Sequence, residues 1–211
     1  MTNPTLAPYA KEGEMELRVT AKAAAEEEAQ TLLIPVVENL QERFSDFIYG
    51  IDVENLESVV LTELKRTGKT LCTAESCTGG LIAKRITDLP GASAVFYGGV
   101  VSYVNEVKAG VLGVPSQLLE EYGAVSEQVA RAMAEGARKA LGSDLAVAVT
   151  GVAGPDKDDR GNEVGTVFVA LTDGEQTWVR RPHLGGVRGR IRTTAANHAL
   201  DMVRRYLQKK L

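Results

Sequence analysis

The chain has 211 residues, 44% of them hydrophobic and 25% charged, with a formal net charge of −4. That size and balance exclude a disulfide-stapled miniprotein, a disordered chain and a coiled coil, and no apolar run approaches the roughly 20 residues of a membrane span. Cys72 and Cys77 have neither zinc-site spacing nor a disulfide framework, and the N-terminus lacks the basic-then-apolar order of a secretory leader, so a cytoplasmic protein is expected.

Charge and glycine are unevenly spread. Residues 1–69 hold 7 Lys and Arg against 13 Asp and Glu, and only three of the 21 glycines. The rest is mildly basic and glycine-rich, which predicts a two-part protein with its chemistry in the second part. Residues 1–12, with Pro4, Pro8 and no periodicity, read as a tail or linker. Glu14–Thr20 alternates as a half-buried strand does. Ala23–Phe44 has the spacing of an amphipathic helix, which Pro35 should kink or split. Phe47–Ile51 reads as a short strand, and Leu56–Arg66 as a helix entered through Asp52 and Asn55.

From residue 69 strands and helices alternate. Strands are expected at Thr70–Ala74, Gly99–Val104 and Asp144–Val149, the last a nearly continuous apolar run suited to a sheet covered on both faces. Helices are expected at Gly79–Thr87, around Glu106–Leu112, at Pro115–Tyr122 and at Ser126–Leu141. Val164–Leu171 and Gln176–Arg180 form a predicted hairpin turning at Asp173-Gly174, and Val187–Leu207 a closing helix. The pattern predicts a three-layer α/β/α domain on a mixed sheet, residues 54–211, preceded by a small α+β domain at 13–53.

Four segments carry candidate chemistry. In A-E-S-C-T-G-G (74–80) a strand meets a helix, so Ser76 and the amides of Cys77, Thr78, Gly79 and Gly80 either hold a phosphate or oxyanion or simply cap the helix. In S-Y-V-N-E-V-K (102–108), Tyr103, Asn105 and Lys108 follow a strand, although a lysine after Glu106 is usually solvated. T-G-V-A-G-P (150–155) follows the most apolar strand; Thr150, Gly151 and Gly154 allow close approach of a ligand or make a tight exit turn. The D-K-D-D run (156–159) reads as a solvated loop rather than a metal site, and His183 and His198 have no third ligand at metal spacing. Among the arginines of the last 35 residues, Arg188 and Arg192 stand four apart on one helix face and suit a phosphate.

AESCTGG, SYVNEVKAGVLGV, YGAVSEQVA, TGVAGP and VGTV, in that order and spacing, resemble the C-terminal domain of the CinA family. That domain also occurs alone as the PncC-type nicotinamide mononucleotide deamidase, and residues 13–52 resemble the KH-like middle domain of full-length members. The resemblance implies an amidohydrolase without metal or cofactor. It places the nucleophile on Ser76, the general base on Lys108 and supporting roles on Tyr103, Thr150 and Arg188. Substrate contacts are expected from Thr78, Gly79, Gly80, Asn105, Gly151, Gly154 and Arg192. It also implies a homo-oligomer and a protein partner in competence or DNA repair. The acidic balance of the first part and its lack of a G-x-x-G argue against nucleic acid. Two competing readings are a Cys77 thiolate nucleophile at the helix N-terminus and a non-catalytic nucleotide-binding or docking module. The lysine base makes one demand: at its ordinary pKa only roughly one lysine in 2,500 is neutral at pH 7, so Lys108 must be desolvated or near another cation.

Overall fold

The computed structural model describes residues 3–11 and 13–211, in two compact units, 1–52 and 53–211. In the first unit, strand β1 (Thr5–Lys11) pairs antiparallel with β2 (Glu14–Thr20), Thr5 opposite Thr20 and Lys11 opposite Glu14. Most of the segment read as a tail is therefore a strand, and the ends of that reading, residues 1, 2 and 12, lie outside the described residues. Its sequence hides this because β1 borders only β2, so Pro8 costs no ladder bond on the outer edge and neither face demands an apolar alternation. Helix α1 (Glu26–Arg43) runs unbroken through Pro35 and is not split as expected. Phe47–Ile51 forms no strand; the Phe47 and Ile48 amides turn back to the Phe44 carbonyl at 2.8 and 3.0 Å.

In the second unit α2 (Leu56–Thr67) starts at a reciprocal capping box between Asn55 and Ser58. Then come β3 (Leu71–Glu75), α3 (Leu81–Thr87), β4 (Phe96–Val101), α4 (Asn105–Gly110), α5 (Ser116–Tyr122) and α6 (Glu127–Leu141). The chain closes with β5 (Leu145–Gly151), β6 (Val167–Thr172), β7 (Thr177–Arg180) and α7 (Arg188–Leu207). The sheet order is β4-β3-β5-β6-β7; β4, β3 and β5 are parallel, and β6 and β7 antiparallel. The fold is a mixed-sheet α/β domain preceded in the chain by a small α+β unit.

Alternation along the buried strands feeds both faces. Cys72 and Ala74 of β3, Ala146 and Ala148 of β5, and Phe168 and Ala170 of β6 join Val129, Met133 and Ala137 of α6 in one apolar cluster. The intervening residues turn to the face covered by α3 and α7, against which α2 packs. Strand β4 begins three residues before its predicted start and takes in Gly98 and Gly99. Glycine ordinarily weakens a strand, but a Cβ on Gly99 would stand 2.2 Å from the Thr73 hydroxyl, so only glycine lets β4 lie against β3. The C-terminal ends of the three parallel strands thus converge on one side of the sheet, where ligands bind in folds of this kind.

Candidate active site

Ser76 follows β3 directly and its amide donates to the Val149 carbonyl of β5 at 2.9 Å, so the serine is held by the sheet rather than by a free loop. Lys108 is the fourth residue of α4, seven residues after β4 ends, and its side chain runs inward: the residue is 1% exposed. Nζ stands 3.3 Å from Ser76 Oγ, 2.8 Å from the Ser102 carbonyl and 3.4 Å from the Tyr103 carbonyl. Burial lowers its pKa from the ordinary lysine value, against a smaller opposing effect of Cys77 and Glu106.

A cleft of about 250 Å³ opens over this pair. Of the residues singled out from sequence, Ser76, Cys77, Tyr103, Asn105, Lys108, Thr150, Gly151, Gly154 and Arg188 line it. Thr150 Oγ1 donates to the Ala124 carbonyl at 2.7 Å and so fixes the far wall. Arg188, at the start of α7, donates to the Gly154 carbonyl at 2.7 Å and to the Tyr103 hydroxyl at 2.8 Å, closing a bridge between the loops after β4 and β5. Thr78, Gly79, Gly80 and Arg192 are not in the lining. Arg192 donates instead to the main-chain carbonyls of Cys77 (Nε, 3.2 Å) and Thr78 (Nη2, 2.8 Å).

The turn itself is occupied differently from a free helix N-terminus. Glu75, 1% exposed, accepts from the Ile82 and Ala83 amides at 3.1 and 2.8 Å, and thereby takes the anion position of α3 itself. The Gly79 amide donates to the Ser76 carbonyl at 3.0 Å and the Leu81 amide to the Thr78 carbonyl at 3.3 Å. Among the described residues the amides of Cys77, Thr78 and Gly80 meet no acceptor in another residue, and of these three residues Cys77 borders the cleft. Cys77 is buried and desolvation pushes its thiol up to about 12, the reverse of what a thiolate nucleophile requires.

Sequence reasoning missed Glu75, because a carboxylate that ends an apolar strand reads as the beginning of the solvated turn. Asp156, Lys157 and Asp158, read as a solvated loop, also border the cleft. Asp158 shapes that loop by accepting from the Arg160 and Asn162 amides at 3.1 and 2.7 Å, and Lys157 pairs with Glu163 at 2.5 Å. The turn-forming D-x-x-G spacing of Asp158 and Gly161 was the available signal.

Family models for the CinA C-terminal domain and for the damage-inducible protein CinA KH domain match residues 53–207 and 1–50. A CinA-like protein of Desulfovibrio desulfuricans is 50% identical over 209 residues, covering 97% of this chain and 49% of that protein. A putative competence-damage inducible protein of Symbiobacterium thermophilum is 51% identical, covering 98% and 50%. The chain thus spans about half the length of the curated relatives it matches. Among solved structures, a competence/damage inducible protein from Agrobacterium tumefaciens is 37% identical with a TM-score of 0.70, covering 76% of this chain and 98% of its own. A CinA-superfamily protein from Klebsiella pneumoniae is 30% identical with a TM-score of 0.71, covering 74% and 99%. Among the described residues no helix is long and apolar enough to cross a membrane.

Proposed function

The chain belongs to the CinA family, and we propose that its second unit is an amidohydrolase that converts nicotinamide mononucleotide and water to nicotinate mononucleotide and ammonia. The observation that carries this reading is the surroundings of Lys108. A neutral amine has two N–H groups and one lone pair, and Nζ has three partners to match: two carbonyls that can only accept and one serine hydroxyl that can donate. The two carbonyls, with burial, aim the lone pair at Ser76 Oγ.

Ser76 Oγ attacks the carboxamide carbon, made more electrophilic by the cationic ring, while its proton passes to Lys108 Nζ. The charge that develops on the amide oxygen is met by the Cys77 amide at the cleft, with that of Thr78 next along the turn. The C–N bond then breaks as Lys108 returns the proton to nitrogen, and ammonia leaves. Water, deprotonated by Lys108, attacks the acyl-serine ester; nicotinate mononucleotide departs and Ser76 regains its proton. Arg188 stands at the cleft wall with a planar donor fork suited to the 5′-phosphate, and Tyr103, which it touches, positions the ring or ribose. Asn105, Gly151 and Gly154 shape the remaining wall. Gly79, Gly80 and Arg192, expected from sequence to reach substrate, stay outside the cleft lining.

The test is ammonia release from nicotinamide mononucleotide, with nicotinate mononucleotide identified by chromatography, for the natural sequence and Ser76→Ala. Turnover that disappears in the variant is the expected result. Absence of turnover in a folded protein that still binds the nucleotide would make the unit a binding or docking module.

A further inference from the structure

We infer that Arg192 is a positioning residue, the brace that orients the oxyanion-binding amides of the Ser76 turn from behind, rather than a contact for the substrate phosphate. The inference rests on reading Ser76 as the nucleophile. Its basis is the planarity of the peptide bond: in a trans unit the carbonyl of one residue and the amide of the next point in opposite directions. The peptides of this turn are trans. Arg192 Nε holds the Cys77 carbonyl and Nη2 the Thr78 carbonyl, so the Thr78 amide is turned away from the guanidinium and out of the braced side of the loop. The Gly79 amide, opposite the Thr78 carbonyl, is turned the same way and closes on the Ser76 carbonyl. That last bond fixes the Ser76–Cys77 peptide in its turn, and with it the direction of the Cys77 amide.

Three further features agree. Among the described residues the hydrogen-bond acceptors of Arg192 are these two carbonyls and no carboxylate, so its Nε and Nη2 edge is given to main chain. A Cβ on Gly79, which has φ +60, would come within 3.3 Å of Arg192 Nη2, so the glycine leaves room for the brace as well as for the turn. Arg188, one helical turn earlier, lines the cleft, while Arg192 does not. Two arginines on one helix face thus serve different loops: Arg188 those after β4 and β5, Arg192 the Ser76 turn.

The experiment compares Arg192→Gln and Arg192→Lys with the unaltered chain on nicotinamide mononucleotide and on the phosphate-free nicotinamide riboside. A brace acts on the transition state, so kcat is expected to fall about 10- to 100-fold with KM little changed, and by the same factor on both substrates. A rise in KM with kcat retained, or a loss confined to the phosphate-bearing substrate, would overturn the proposal and return Arg192 to phosphate binding. If the riboside is not turned over at all, the split between kcat and KM on the mononucleotide decides alone. Arg192→Lys keeps the charge with a single point donor and serves if Arg192→Gln does not fold. Should the unaltered chain release no ammonia, the functional reading fails first. The brace is then judged by amide hydrogen exchange over residues 76–81 in the folded variants: faster exchange than in the unaltered chain supports it and unchanged exchange rejects it.

Discussion

Helix α1 of the first unit has no buried residue among its 18, whereas α6 and α7 of the second unit bury five and ten. The contrast follows from size: about 50 residues expose too much surface to surround a helix, while about 160 can cover a sheet on both faces. Its functional lesson lies in precision. Ser76 and Thr150, 8% and 0% exposed, sit at the ends of strands locked into the larger core, and Lys108, 1% exposed, reaches Ser76 from α4, so the site stands on rigid elements. The first unit, with Phe47 79% exposed and α1 covered on one side only in part, has no comparable rigid frame.

The comparison can be broken at its strongest point first. Ser76→Ala is expected to lower kcat by at least about 10³-fold, whereas Cys77→Ala keeps most of the activity; a steady-state assay in which only the cysteine variant lost turnover would transfer the nucleophile to the thiol. Lys108→Met is expected to cost a similar factor. Because the neutral amine is the active form, kcat/KM in the unaltered chain rises with pH through the pKa of Lys108 and then levels, at a pH below the ordinary lysine range since burial lowers that pKa. A pH–rate profile checks this, and a limb at or above 10.5 would show that the lysine is not desolvated as its burial requires.

Stability offers the next contrast. Met133, fully buried under the sheet, is expected to lose about 2–5 kcal/mol on truncation to alanine. Leu40→Ala on half-buried α1 should cost about 1 kcal/mol or less; denaturant melts followed near each substitution measure both. Equal costs would mean that α1 is buried in solution. The smallest effect is expected from removing residues 1–52. Solved neighbours whose own chains are covered at 97–99% match only about three quarters of this one, so a unit of this kind is complete in itself. A chain starting at Val53 should keep kcat within about twofold, and a larger fall would assign the first unit a share in the site.

Much of the second unit is legible from local pattern. Leu145–Val149 is apolar at every position and lands in the middle of the sheet, between β3 and β6. Val129, Met133 and Ala137 recur at helical spacing and all reach the core. The loops that follow β3, β4 and β5 were legible because small and polar residues interrupt apolar strands there. Boundaries were less so: β4 begins at Phe96, three residues before its expected start, and takes in Gly98, a residue type that propensity keeps out of strands.

The sequence by itself determined the class of fold, the two-part organisation and the set of chemically able residues, since apolar periodicity and glycine placement are properties of neighbours along the chain. It also supplied the family resemblance through ordered motifs. Only the tertiary structure decided that residues 5–11 are a strand, because a strand with one partner and no covered face leaves no periodic trace. It alone decided that Lys108 is buried with two carbonyls and a serine around its nitrogen, 32 positions from that serine. It likewise separated Arg188 from Arg192. Four residues bring two arginines to one helix face, but they also climb one turn, about 6 Å, and which loop each then meets depends on where α7 lies against the sheet.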